Sequence, residues 1–139
     1  VTGLEVSATG GVECMLAEGR QLLSLDAGLL SNTALKDDRP GADRQGWRLG
    51  LTWQLQLGAG ALRTQVNYAR LNDDEGYSLL LAGGAKRRLH NRFLKIQYSR
   101  ALQPDLDLLI NLSHQGQSSN ITPFENQGTA LDIGLSLNF

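Results

Sequence analysis

The sequence predicts an all-β chain of antiparallel, up-and-down strands, the arrangement of a β-barrel segment, and three observations predict it. Apolar residues recur at period two in segment after segment, the connections alternate between short and long, and no run approaches the roughly 18 consecutive apolar residues of a membrane-spanning helix. The chain has 139 residues, 41% hydrophobic and 19% charged. That length suits one unit over residues 1–139, and that composition is too polar for a bundle of membrane helices.

The first segment, Leu4–Leu16, sets Leu4, Val6, Ala8, Val12, Cys14 and Leu16 on one face, against Glu5, Ser7, Thr9 and Glu13 on the other. Gln21–Asn32 follows the same habit less cleanly. In Trp47–Leu57, Trp47, Leu49, Leu51, Trp53, Leu55 and Leu57 oppose Arg48, Gly50, Thr52, Gln54 and Gln56. A helix would scatter these residues around its circumference, whereas a strand sends alternate Cβ atoms to opposite faces. Ala61–Leu71 opposes Leu62, Val66 and Tyr68 to Arg63, Gln65 and Asn67, and Arg92–Leu102 opposes Leu94, Ile96 and Tyr98 to Lys95, Gln97 and Ser99. Leu106–Gln117 sets Leu106, Leu108, Ile110 and Leu112 against Asp107, Asn111 and Ser113, with Leu109 intruding on the polar side. The closing segment, Thr129–Phe139, alternates throughout: Thr129, Leu131, Ile133, Leu135, Leu137 and Phe139 face away from Ala130, Asp132, Gly134, Ser136 and Asn138. Leu and Ala are weak strand formers, so pattern and not propensity carries this reading. Seven strands result, with room for an eighth within Asp73–Arg88, where Tyr77–Leu81 is apolar.

The connections supply sidedness. Ala17–Arg20, Gly58–Gly60 and Gln103–Asp105 are short Gly- or Pro-containing turns of the hairpin kind, whereas Thr33–Gln45, Asn72–Asn91 and Ser118–Gly128 are long. Loops beyond about 12–15 residues are uncommon in a small soluble domain, but long loops at one end and short turns at the other are the habit of outer-membrane barrels.

A strand with one wholly apolar face has two destinations, the core of a soluble sandwich or lipid around a barrel with a wet interior. Strand length and loop sidedness favour lipid, because soluble strands commonly hold about 5–6 residues. Each exposed Val, Leu, Ile or Phe would forgo about 1.5–3 kcal/mol of burial, so this face requires either lipid or a second sheet. Trp47, Tyr68 and Phe139 lie near strand ends, where interfacial girdles sit; ordinary core aromatics of a sandwich are the alternative.

The opposite face carries Glu5, Glu13, Asp26, Asp107 and Asp132 beside Arg48, Arg63 and Lys95, a mixed polar set expected to line a lumen. With 13 Lys+Arg against 14 Asp+Glu the net charge is −1, so no basic field recruits nucleic acid. One cysteine and two histidines build no zinc or redox framework, and no cofactor is expected. His114 beside Ser113 invites comparison with a hydrolase, but adjacent strand residues point to opposite faces, and no Gly-x-Ser-x-Gly turn is present. No enzymatic activity is expected. The run Lys86-Arg87-Arg88 is expected as a solvated loop patch, with contact to lipopolysaccharide phosphates as the alternative. Val1–Gly10 lacks the basic-then-apolar layout of a secretory signal.

The residues Asp132-Ile133-Gly134-Leu135-Ser136-Leu137-Asn138-Phe139 resemble the C-terminal β-signal of Gram-negative outer-membrane proteins: a polar residue, a glycine two positions on, an apolar residue, and a terminal aromatic. The resemblance implies a bacterial outer-membrane location and recognition of the last strand by the barrel assembly machinery, with Gly134, Leu137 and Phe139 as the diagnostic positions. A looser resemblance, on the Ser118–Phe124 and Asp73–Arg88 loops with Gly76-Tyr77, is to the barrels that follow tetratricopeptide repeats in outer-membrane proteins. These include surface lipoprotein assembly modifiers and exopolysaccharide exporters.

If Phe139 ends at the periplasmic rim, alternation makes the first strand run inward as well. Such barrels normally have an even strand number and both termini periplasmic, so seven strands are expected to form the C-terminal part of a larger barrel. The remaining strands come from the same or another chain, because an open edge in hydrocarbon leaves backbone groups unpaired. The expected role is passage or export of cargo, with membrane lipids around the barrel. A structural or adhesive barrel working through its long loops is the second reading, and a soluble β-sandwich binding module the third.

Overall fold

The computed structural model describes residues 3–35 and 40–137. Seven strands form one sheet: β1 (Gly3–Leu16), β2 (Gln21–Ala34), β3 (Arg44–Leu57), β4 (Gly60–Gly76), β5 (Lys86–Gln103), β6 (Leu106–Ser119) and β7 (Asn126–Leu137). Each pairs antiparallel with the next in sequence order, so the topology is all-β and up-and-down. The sheet is not closed: β1 and β7 are its edges, as in a partial barrel.

Tight turns fix the register at one end. Ala17 and Glu18 adopt left-handed backbone (φ 52° and 57°) and Gly19 follows at φ 85°, closing β1 onto β2 with Arg20 N donating to Ala17 O at 3.2 Å. Gly58, at φ 60°, opens the turn from β3 to β4, a position where a side chain would be strained. From these ends the ladders run without a break through Val12↔Leu25, Leu25↔Leu51 and Leu51↔Val66 on one face, and through Gly11↔Asp26, Asp26↔Gly50 and Gly50↔Asn67 on the other. A one-residue slip would invert every strand's two faces, so the alternation pins this register.

β4 and β5 run longer than their alternation indicates, 17 and 18 residues. Pairing continues from Asn72↔Arg88 across a bulge to Gly76↔Lys86. Much of the expected Asn72–Asn91 loop is therefore hairpin, and the tip is residues 77–85. Tyr77–Leu81 is not an eighth strand, because Leu79–Ala82 forms a single helical turn, with Ala82 N donating to Ser78 O at 3.1 Å. A 3-10 turn, Thr122–Phe124, occupies the connection from β6 to β7.

No second layer covers the apolar face among the described residues. Leu49 and Val66, in central strands, remain 46% and 42% exposed, and on β7 Ile133 is 68% exposed. Among the described residues the buried side chains are instead Leu89, Ile121, Asp73 and Arg87, all at the end carrying the long connections.

Candidate functional site

The sheet is curved, and its polar face is the concave one. A hollow of about 780 Å³ opens on that face, bounded by Thr9 of β1, Asp26 of β2, Arg48 of β3, Asn67 of β4, Asn91 and Phe93 of β5, Gln115 of β6 and Asn126 of β7. Every strand contributes, because the register carries one polar row across the sheet: Gly28↔Arg48, Arg48↔Ala69, Ala69↔Asn91 and Asn91↔Gln117.

Two glycines make room in this row. Arg48 Nη2 donates to Thr9 Oγ1 at 2.6 Å, its stem crossing Gly28, where a Cβ would approach Nε to 3.2 Å. Asp26 lies over Gly50, whose Cβ would collide with its carboxylate. A cation and an anion from adjacent strands thus share one hollow. Ser24 Oγ donates to Glu13 Oε1 at 3.0 Å nearer the short turns. The side-chain oxygens of Asn91 and Asn111 are buried acceptors without a donor among the described residues, leaving hydrogen-bonding capacity on this face.

All eight charged residues singled out from the sequence fall on this face by register. Asp26 and Arg48 meet in the main hollow, and Asp107 borders a smaller one of about 290 Å³ by the β3–β4 turn. Glu5 (opposite Asn32), Glu13, Arg63 (opposite Gln54), Lys95 (opposite Gln65) and Asp132 (opposite Asn111) are distributed along the same face. Gly134 faces the concave side opposite Leu109, and Leu137 the apolar side opposite Leu106; Phe139 lies outside the described residues. Ser113 pairs with Lys95 on the polar face, while His114 turns outward, its Nδ1 2.8 Å from Thr129 Oγ1.

A second cluster, at the rim by the long connections, escapes period-two reasoning. Asp73 binds two arginines: Arg44 Nε donates to Oδ1 at 2.8 Å and Arg87 Nε to Oδ2 at 2.9 Å. The Arg87 guanidinium lies 4.3 Å from the Tyr77 ring centroid and 4.5 Å from that of Phe124, whose rings meet edge to face at 4.8 Å. Gly41, at φ 82°, runs so close beneath Asp73 that a Cβ there would collide with its carboxylate. The loops after β2, β4 and β6 are thereby tied into one structure. Its sequence signal is the acidic run Asp73-Asp74-Glu75 facing the basic run Lys86-Arg87-Arg88 across a hairpin.

On the apolar face at the same end, Trp47, Tyr68 and His90 form a row across β3, β4 and β5, with centroids 5.3 and 6.1 Å apart. Comparison of the chain with protein-family models, curated proteins and solved structures finds no match in any of the three.

Proposed function

We propose that this sheet is part of an outer-membrane β-barrel, that lipid covers its apolar face, and that its concave polar face lines the route by which cargo passes. The observation that carries the reading is the uncovered apolar face of a sheet whose other face is polar and hollow. The dimensions agree. From Trp47 to Leu57 the apolar row of β3 spans about 33 Å at about 3.3 Å per residue, and a strand tilt of about 40° reduces this to roughly 25 Å, the height of a barrel's apolar band. Aromatic residues at one border of the row suit an interfacial girdle. Further strands, from the same or another chain, pair with β1 and β7, since hydrocarbon offers no partner for their edge backbone groups. The β-signal-like residues around Gly134 and Leu137 support insertion by the barrel assembly machinery.

The lumen acts by hydration and electrostatics, without covalent chemistry. Arg48 and Asp26 place opposite charges in one hollow, so each tunes which ions or cargo groups pass. The complete barrel, with the strands that pair with β1 and β7, is expected to conduct when reconstituted in a planar bilayer, and Arg48→Glu to shift the reversal potential toward cation selectivity. A bilayer that stays silent after verified insertion rejects the passage role. One observation favours a structural or adhesive barrel as the second reading: a buried ion pair, Asp73 of β4 with Arg87 of β5, sits at the end carrying the long connections and gives that end a fixed shape.

A further inference from the structure

We propose that the outward face of β5, just beyond the apolar band, binds the phosphate groups of membrane lipids through Lys86, Arg88 and Arg92, together with Arg70 of β4. The inference rests on the membrane reading above and adds a ligand to it.

The run Lys86-Arg87-Arg88 belongs to β5, not to a loop, and the strand splits it. Burial alternates residue by residue: Lys86 exposed, Arg87 buried, Arg88 exposed, Leu89 buried. Arg87 turns to the concave side, where Asp73 neutralises it. Lys86 and Arg88 turn outward with Arg92, also exposed, at the same parity. Across the ladder, Arg92 pairs with Tyr68 and His90 with Arg70. Four cationic side chains therefore share one outward patch, with successive cations on β5 about 7 Å or about 13 Å apart at roughly 3.3 Å per residue. Of the three acids at the same end of β4, Asp73 is bound by Arg44 and Arg87, Asp74 accepts from Gln45 Nε2 at 3.4 Å, and Glu75 is exposed.

Two further features point to a lipid. The patch continues the apolar face: along β5, Leu94 gives way to Arg92 and then Arg88, and along β4, Val66 gives way to Tyr68 and then Arg70. Acyl chains against Val66 and Leu94 would place their headgroups at the height of these cations, with Trp47 and Tyr68 at the border. The patch is also held in shape. Beyond the end of β6, Asn120 replaces a neighbouring strand: Arg88 N donates to its Oδ1 at 2.7 Å and its Nδ2 donates to Lys86 O at 2.9 Å. The backbone that carries Lys86 and Arg88 is thus fixed, and the guanidinium groups of the patch can meet phosphate oxygens in bidentate fashion.

The test uses the chain together with the strands that complete its barrel, in phosphatidylcholine nanodiscs titrated with phosphatidic acid or with diacylglycerol of the same chains, bound lipid being counted by native mass spectrometry. Phosphatidic acid is expected to be retained about tenfold better than diacylglycerol. The double variant Arg88→Gln/Arg92→Gln should lose most of that preference, Arg88→Lys/Arg92→Lys should keep part of it, and Arg63→Gln on the concave face should leave it intact. Inorganic phosphate at the same concentration should not compete. Equal retention of the two lipids, an undiminished preference in the double Gln variant, or full competition by inorganic phosphate each overturns the proposal. A barrel that enters the bilayer but shows no phosphate preference refutes this site alone, whereas a barrel that, complete with the strands pairing β1 and β7, does not enter phosphatidylcholine bilayers refutes the membrane reading beneath it.

Discussion

The Tyr68 hydroxyl lies 2.6 Å from His90 Nδ1, bridging β4 and β5 where the apolar face gives way to Arg70 and Arg92. Trp47 flanks the pair from β3. Tyr68 thus presents its ring to the apolar side and its hydroxyl to the polar border, the division of labour that suits an interface between hydrocarbon and water. Tyr68→Phe keeps the ring and removes the hydroxyl. It is expected to lower unfolding free energy by about 0.5–1.5 kcal/mol, and Tyr68→Ala by clearly more. Urea titration of the folded protein in micelles measures both, and an unchanged midpoint for Tyr68→Phe would show that the bridge contributes nothing.

Asp73 anchors the rim because its side chain is 2% exposed and that of Arg87 is 7% exposed. Removing the carboxylate by Asp73→Ala leaves a buried guanidinium unpaired, with an expected loss of about 3–5 kcal/mol. Arg44 is 23% exposed at its side chain, so Arg44→Gln should cost about 1 kcal/mol or less. A double-mutant cycle between positions 73 and 87 checks the coupling, and equal effects of Asp73→Ala and Arg44→Gln would contradict this ordering.

The two faces of β3 offer the sharpest contrast for the membrane reading. Leu51 is at mid-strand on the apolar face and Thr52, its neighbour, is on the concave one. Leu51→Lys is expected to destabilise the bilayer-inserted protein by about 2–4 kcal/mol. Thr52→Lys should stay within about 0.5 kcal/mol. Folding equilibria in lipid vesicles provide the measurement, and a reversed order would place water, not lipid, against Leu51.

Cys14 serves as a native probe of the same boundary. Its free thiol is exposed on the apolar face, on the parity of Val12 and Leu16. In bilayers it should resist a membrane-impermeant maleimide applied from either side and react with a lipid-soluble one, whereas an introduced Asp26→Cys should show the opposite preference. Rapid labelling of Cys14 by the impermeant reagent in intact vesicles contradicts lipid coverage.

The strand count, the up-and-down order and the separation of the two faces were all legible in the sequence, because alternation of Cβ atoms is a property of the extended backbone itself. The pattern Trp47-Leu49-Leu51 against Arg48-Gly50-Thr52 needs no tertiary contact to declare its two sides. Asp26 and Arg48 could be assigned to one face in the same way. Their meeting in one hollow required the register between β2 and β3, which the short turns set.

The rim was not legible, and the reason is physical. Whether Arg87 points inward to Asp73 or outward with Arg88 depends on how far β4 and β5 continue pairing past Asn72, and on the bulge that absorbs the difference. Apolar periodicity has faded there, so a paired hairpin and a free loop look alike in sequence. Local covalent geometry therefore determined which residues share a face; only the tertiary structure, through register, curvature and the ends of neighbouring strands, decided which charges on that face touch.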